Sequence, residues 1–181
     1  MAEMKNKLME RVLEKSEAKT WDEAVLEWEI WDYKEDDEAV NECACGQEGL
    51  KCLFTIKNTK NGNILFPIGS TCIKKFGRKE LDRDILFKQK LFKLLKAIKE
   101  GEEIEISSKY FSRRMLEYFF KSGVFPPNDY NGHNGYYDYR FLLNIFNGKS
   151  VTANQEKKVR ALIYYNIKPF LEEEFRGKAV D

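Results

Sequence analysis

Residues 41–76 read NECACGQEGLKCLFTIKNTKNGNILFPIGSTCIKKF and contain all four cysteines of the 181-residue chain. Two of the thiols lie in the turn Cys43-Ala-Cys45-Gly46, Cys52 starts an apolar run, and Cys72 follows Gly69-Ser-Thr. The charged start of the chain predicts no export segment. In a protein that is not exported and whose thiols stay reduced, cysteines gathered in this way are more often metal ligands than disulfides. The segment therefore predicts a metal site, with reduced core cysteines or a regulatory disulfide as alternatives.

Two strand-like runs in this segment predict a β-hairpin. Residues 52–57 and 64–68 are rich in apolar side chains, and Asn61-Gly62 between them is the preferred pair for a two-residue type I′ turn. With that turn, Ile56 pairs with Pro67 and Cys52 faces Thr71, so Cys52 comes close to Cys72. Pro67 predicts that the second strand lies at the edge of its sheet.

The spacing predicts one structural zinc ion bound by Cys43, Cys45, Cys52 and Cys72. Gly46 directly after the first pair lets backbone amides approach sulfur, and the start of a helix at Cys72 favours a thiolate. A tetrahedral zinc site with four thiolates is closed, so it serves structure and not catalysis. Turn, hairpin and helix in this order are typical of treble-clef zinc fingers, although the first pair has one intervening residue where two are usual.

The whole pattern predicts an α+β fold in three parts. Residues 1–42 form an acidic N-terminal helix and strand, residues 43–80 a zinc-stapled, treble-clef-like hairpin module, and residues 81–181 a helical region. In the helical region, periodicity and capping residues predict helices over these stretches: 85–100 after Asp84, 112–121, 139–147 after Asp138, and from Thr152 to Pro169.

Charge is unevenly distributed, although the net charge is only +1. Residues 1–42 hold 6 Lys or Arg and 14 Asp or Glu, whereas residues 51–99 hold 13 and 3. The basic stretch predicts a surface for nucleic acid or another partner, with these candidate residues: Lys57, Lys60, Lys74, Lys75, Arg78 and Lys79. Two alternatives stay open: the cations offset the negative charge of a zinc–thiolate site, or the acidic arm lies on the protein's own basic face.

The motifs resemble those of small zinc-binding proteins encoded by phages and mobile elements of Gram-positive bacteria. The resemblance rests on Cys43-x-Cys45-Gly46, Ile56-Lys57-Asn58 and Gly69-Ser-Thr-Cys72-Ile-Lys-Lys-Phe76, and it extends to residues 138–143 and 167–171. It implies zinc and a mobile-element origin. Small phage proteins of this build include anti-CRISPR and other anti-defence inhibitors, so by analogy we expect such an inhibitor.

Catalytic motifs are sparse in this chain. It has no Walker loop, no nucleophile elbow and no histidine pair for metal hydrolysis. Glu103 and Glu105 alternate like a nuclease carboxylate pair, but their acidic neighbours beside Gly101 are typical of a solvated turn. The only histidine, His133, lies in a polar segment.

We therefore expect a non-enzymatic binding protein in the cytoplasm of a bacterial host. Its expected partner is a host defence nucleoprotein, such as a CRISPR effector. The main alternative is a zinc-containing accessory protein that binds RNA or DNA, and a nuclease is the lesser one. No membrane partner is expected, because no apolar run approaches the roughly 18–20 residues that span a bilayer.

Overall fold

The computed structural model describes residues 2–176 and has an α+β fold, which confirms the predicted class. Its antiparallel sheet has the order β1-β2-β3, formed by β1 (Trp28–Glu35), β2 (Cys52–Asn58) and β3 (Ile64–Ile68). The helices are α1 (Ala2–Glu14), α2 (Trp21–Ala24), α3 (Ser70–Lys74), α4 (Lys79–Lys99), α5 (Arg113–Lys121), α6 (Gly135–Phe146), α7 (Ala153–Leu162) and α8 (Lys168–Glu174).

The described chain divides into two compact units. Unit 1 comprises residues 2–89 and contains the sheet, and unit 2 comprises residues 90–176. The boundary falls within α4. In residues 2–176, no helix combines the length and the apolar character needed to cross a membrane.

The core of unit 1 forms around the central strand, β2. It pairs antiparallel with β1 from Trp28↔Asn58 to Glu35↔Cys52, with one irregularity between Ile30 and Asp32. β3 is an edge strand, as Pro67 predicts, because proline cannot donate to a further strand. The side chains that fill this core are fully buried and include Trp28, Phe54, Ile56 and Ile68.

The predicted type I′ turn is wrong, and the strand register differs with it. Ile56 pairs with Leu65 and not with Pro67. The Asn58 side chain explains the change, because its Oδ1 accepts hydrogen bonds from the amides of Lys60 (2.8 Å) and Asn61 (3.2 Å) and builds a longer loop. Thr71 belongs to α3, so it does not come to face Cys52 across the hairpin.

The buried carboxylate of Glu27 fastens the N-terminal segment to this loop. Its two oxygens accept hydrogen bonds from the amides of Glu17 and Ala18, both at 2.9 Å, and from Asn58 Nδ2 at 2.7 Å. The Thr59 amide donates to the Glu27 carbonyl at 2.7 Å. The side chain is only 3% exposed, so these donors replace the water that the charge loses on folding.

Two helix starts in unit 2 confirm the sequence patterns. Ser112 caps α5 by accepting from the Met115 amide. Thr152 and Gln155 form a capping box, in which each side chain accepts from the other residue's backbone amide, at the start of α7.

Two other helix starts were predicted too late in the chain. α4 begins at Lys79 and not after Asp84, with Glu80 and Asp82 in its first turn, where acidic side chains are favourable. α6 begins at Gly135, because the Asn134 side chain caps it by accepting from the Tyr136 amide. Only glycine fits at the start of α6, since a Cβ at Gly135 would lie 1.9 Å from the Phe125 carbonyl oxygen.

The helix predicted to stop at Pro169 continues through it. Pro169 has no amide hydrogen to donate to a preceding carbonyl. A π-helical segment, Ile163–Ile167, precedes the proline, and α8 then begins at Lys168. Such π turns are rare and occur often at functional sites.

We expect Glu27→Gln to destabilise the protein at neutral pH and to make its stability depend less on pH in the acid range. Burial raises the pKa of Glu27, but the hydrogen bonds from Asn58, Glu17 and Ala18 outweigh it, so the pKa lies below its usual value. Because the folded pKa is below the unfolded value of about 4.3, the carboxylate contributes stability above that pH. This contribution is lost as pH falls through the folded pKa.

Thermal unfolding measured between about pH 7 and pH 3 tests this expectation. The exposed neighbour Glu29 offers the matched control, Glu29→Gln. Parallel pH profiles for the wild-type protein and Glu27→Gln would contradict the assigned role.

Candidate metal centre and basic surface

Three of the four predicted cysteine ligands lie together in unit 1. The Sγ atoms of Cys43, Cys45 and Cys72 all lie within 4.8 Å of one another, and the residues are 1%, 2% and 2% exposed. Cys43 Sγ lies 3.6 Å from Cys72 Sγ, far beyond the S–S bond length of about 2.05 Å. It is close to the sulfur–sulfur separation of about 3.8 Å expected around a tetrahedral ion with bonds of 2.3 Å. These three buried thiols could hold a metal ion.

A tight turn presents the first two cysteines. The Gly46 amide donates to the Cys43 carbonyl at 2.7 Å, and Gly46 has a φ of 91°, which other residues rarely adopt. The Ala44 amide donates to the carbonyl of Pro67 at 2.9 Å, so the turn is attached to the edge strand β3. Because α3 follows β3 directly, Cys72 comes next to this turn.

Hydrogen bonds to sulfur favour an anion at Cys43. The interaction with Cys72 lowers the pKa of Cys43 to about 5, and the Gly69 amide, 3.3 Å from Cys43 Sγ, acts in the same direction. The same interaction raises the pKa of Cys72. A thiolate is the form of cysteine that binds metals, so these interactions favour the metal-binding form of Cys43.

Cys52 lies outside this cluster. Its Sγ accepts a hydrogen bond from the Tyr33 hydroxyl at 3.4 Å and contacts Gln89 Nε2 at 3.7 Å. The ring of Tyr33 lies 4.7 Å from that of Phe54, so Cys52 is on their side of the sheet. The structure therefore brings together three of the predicted ligands and not the fourth. In residues 2–176, no other Cys, His, Asp or Glu side chain joins the three.

The predicted basic residues differ in the contacts that their side chains make within the protein. The side chains of Lys74, Lys75 and Lys79, which we call the α3–α4 lysines, are exposed and have no hydrogen bond or ion pair within residues 2–176. Lys60 is exposed in the hairpin loop, and its charge helps to lower the pKa of Glu27. Lys57 Nζ lies 4.2 Å from the centre of the Trp31 ring, a cation–π contact.

Arg78 connects the start of α4 to the start of β1. Its Nη1 donates to the carbonyls of Val25 (3.1 Å) and Trp28 (2.6 Å), and its Nε lies 2.8 Å from a carboxylate oxygen of Glu80. The side chain is only 16% exposed. Arg78 was predicted as a partner-binding residue, but these contacts use most of its donors inside the protein.

Unit 2 contains an ion pair between a buried carboxylate and a half-buried lysine that no sequence pattern indicated. Asp138 is 2% exposed, and its Oδ1 lies 2.7 Å from Lys158 Nζ while its Oδ2 accepts from Asn131 Nδ2 at 2.7 Å. Asp138 was predicted to cap α6. It instead links α6 to α7, and nothing local in the sequence indicates a pairing between two helices.

Two of the three candidate catalytic side chains, Glu103 and His133, are engaged in surface ion pairs. Glu103 lies 3.5 Å from Arg160, and His133 Nε2 lies 3.1 Å from Asp129. Both pairs are strongly exposed, so neither has the low-dielectric surroundings that tune catalytic groups.

Comparisons of this chain with known proteins found no match. No protein-family model matches the sequence, and neither a curated protein nor a solved structure matches it.

Replacement of Arg78 by Ala should destabilise unit 1, whereas replacement of Lys79 by Ala should not. The first change leaves the carbonyls of Val25 and Trp28 without their donor, at a cost of about 1–3 kcal/mol. The second removes an exposed ammonium group with no partner in the described residues. Urea unfolding of both variants measures the difference, and equal midpoints would refute the structural role of Arg78.

Proposed function

We propose that the protein is a non-enzymatic binding protein of a phage or mobile element, with a structural zinc ion in unit 1. In this proposal it inhibits a host defence nucleoprotein, such as a CRISPR effector with its guide RNA. The observation that carries the zinc assignment is the cluster of three buried sulfurs. The proposed biological setting rests on the resemblance of the cysteine motifs to those of small phage proteins.

Zinc suits the donor set better than other common ions do. Thiolates select zinc or soft metals, whereas calcium and magnesium require oxygen ligands. Cys43, Cys45 and Cys72 would hold one ion and would join the residue 43–46 turn to α3. Zinc supplies folding energy at such a site, because the unfolded chain offers no preformed set of ligands.

A structural role fits the cluster better than a catalytic one. Zinc with three protein ligands also occurs in enzymes, where water takes the fourth position. Here the three cysteines are at most 2% exposed, which leaves little surface for a substrate. The nuclease alternative also requires carboxylates near the metal, and among residues 2–176 none lies in the cluster.

The α3–α4 lysines support a partner that carries phosphate. Exposed ammonium groups without internal partners are available to phosphate oxygens, whose attraction does not depend on base sequence. A nucleoprotein offers phosphate together with protein surface. The same lysines also favour the second candidate, an accessory protein that binds free RNA or DNA.

Purified protein should contain about one zinc ion per chain, with sulfur ligands at about 2.3 Å by X-ray absorption. We expect Cys72→Ser to lose the metal and to destabilise unit 1. Cys52→Ser is the matched control and should keep the metal, because Cys52 lies with Tyr33 and Gln89. Protein free of zinc, or a disulfide within the cluster, would refute the assignment. Equal zinc loss in both variants would restore the four-cysteine set.

The partner is tested with immobilised CRISPR effectors, each with and without guide RNA, and with free RNA and DNA. We expect tighter binding to the guided effector than to free nucleic acid, and a lower on-rate as salt rises. Joint replacement of the α3–α4 lysines by Ala should weaken binding. The slope of log K against log salt concentration should become less steep by roughly 0.7–0.9 for each phosphate that the variant no longer neutralises.

Three exposed lysines elsewhere, Lys5, Lys19 and Lys157, provide a control variant with the same change in charge. Equal binding to free nucleic acid and to effectors would favour the accessory-protein candidate. No binding to either, together with no rescue of phage in a restriction assay, would exclude both candidates.

A further inference from the structure

A groove with aliphatic and acidic side chains lies within unit 2, and its lining includes none of the residues proposed to bind zinc or phosphate. It has a volume of about 560 Å³, within the range of sites that bind ligands or peptide side chains. It is formed by residues 101–107 after α4, the end of α6, Val151 before α7, one side of α7 and the π-helical segment.

The floor of the groove is aliphatic and only partly covered. Ile163 and Val159 are buried beneath it, while Ile104, Ile145 and Val151 are half-buried along it. The π-helical turn contributes both Ile163 and the 40% exposed ring of Tyr164. A rare backbone turn whose side chains line a groove is typical of a functional surface.

Acidic side chains from two parts of the chain lie at the rim of the groove. The lining includes Glu102, Glu103 and Glu105 from the connection after α4, and Glu156 from α7, against a single cation, Arg160. Glu103 pairs with Arg160 at 3.5 Å, and Glu102 pairs with Lys109 at 3.3 Å and accepts from the Tyr110 hydroxyl at 2.7 Å. Glu105 and Glu156 are exposed, and their carboxylates have no ion pair within residues 2–176.

We propose that this groove binds a basic amphipathic segment of a partner protein. Aliphatic side chains of that segment would cover the floor at Ile104, Ile145 and Val151. Its Lys or Arg side chains would pair with Glu105 and Glu156 on the two sides. Apolar anchors between cationic residues are how amphipathic segments bind in grooves, and charge complementarity of this kind selects basic partners and repels acidic ones. The assignment does not depend on zinc or on the proposed inhibition.

The experiment uses the full chain and a synthetic probe of about twelve residues, with Leu and Lys at helical spacing. Two comparison peptides have the same Leu positions with Glu in place of Lys, and the same composition in scrambled order. Binding is measured by fluorescence anisotropy at low and high salt. We expect the Leu/Lys probe alone to bind, and to bind more weakly as salt rises.

The double variant Glu105→Lys with Glu156→Lys reverses the two unpaired charges of the rim and should weaken probe binding about tenfold. Glu38→Lys with Glu48→Lys makes the same change in net charge on exposed residues of unit 1 and should leave binding unchanged. Circular dichroism and thermal unfolding identify any variant that fails to fold, in which case Ile104→Ser, which alters the floor alone, replaces it.

Each outcome decides the proposal. Loss of binding in the groove variant but not in the control supports it. Equal loss in both variants shows attraction by net charge alone and overturns it. Equal binding of the scrambled probe, or no binding of the Leu/Lys probe, also overturns it.

Discussion

The pairing of β2 with its two neighbours is the constraint on which the candidate site depends. Side chains alternate between the faces of a sheet, so the register decides which side each residue of β2 occupies. The observed register places Cys52 with Tyr33 and Phe54. The three other cysteines meet where β3 passes into α3. The Asn58–Glu27 hydrogen bond at the loop end of β2 holds this register against the N-terminal segment.

Local signals in the sequence predicted the elements that local chemistry forms. The hairpin strands, the capping box of Thr152 and Gln155, and the helix predicted over residues 112–121 each depend on residues that are close in the chain. The hairpin turn failed as a prediction because the Asn58 side chain replaces backbone contacts of the type I′ turn. The prediction that Cys52 joins the other cysteines depended on that turn and its register, and on Thr71 extending the strand that instead ends before α3.

Long-range contacts account for the rest of what the sequence did not reveal. Arg78 looks like a surface cation beside Lys79, yet carbonyls of residues 25–28 hold it. Asp138 looks like a helix cap, yet it pairs with Lys158 on the next helix. In both cases the partner is a backbone carbonyl or a charged group on another element. Neither the hydrophobic periodicity nor the spacing of motifs in the sequence indicates such a contact. Burial and pairing have to be seen in the folded chain.

The candidate metal site lies next to two of the α3–α4 lysines in the chain. Lys74 and Lys75 follow Cys72 by two and three residues, so an ion bound to Cys72 would fix the short helix that presents them. Isolated helices of this length are not stable in water, so α3 depends on its attachments. Those attachments are the cysteine cluster and the packing of buried Ile73 and Phe76. A structural ion would therefore fix the positions of Lys74 and Lys75 without contacting them, because it would hold the short helix from which they project.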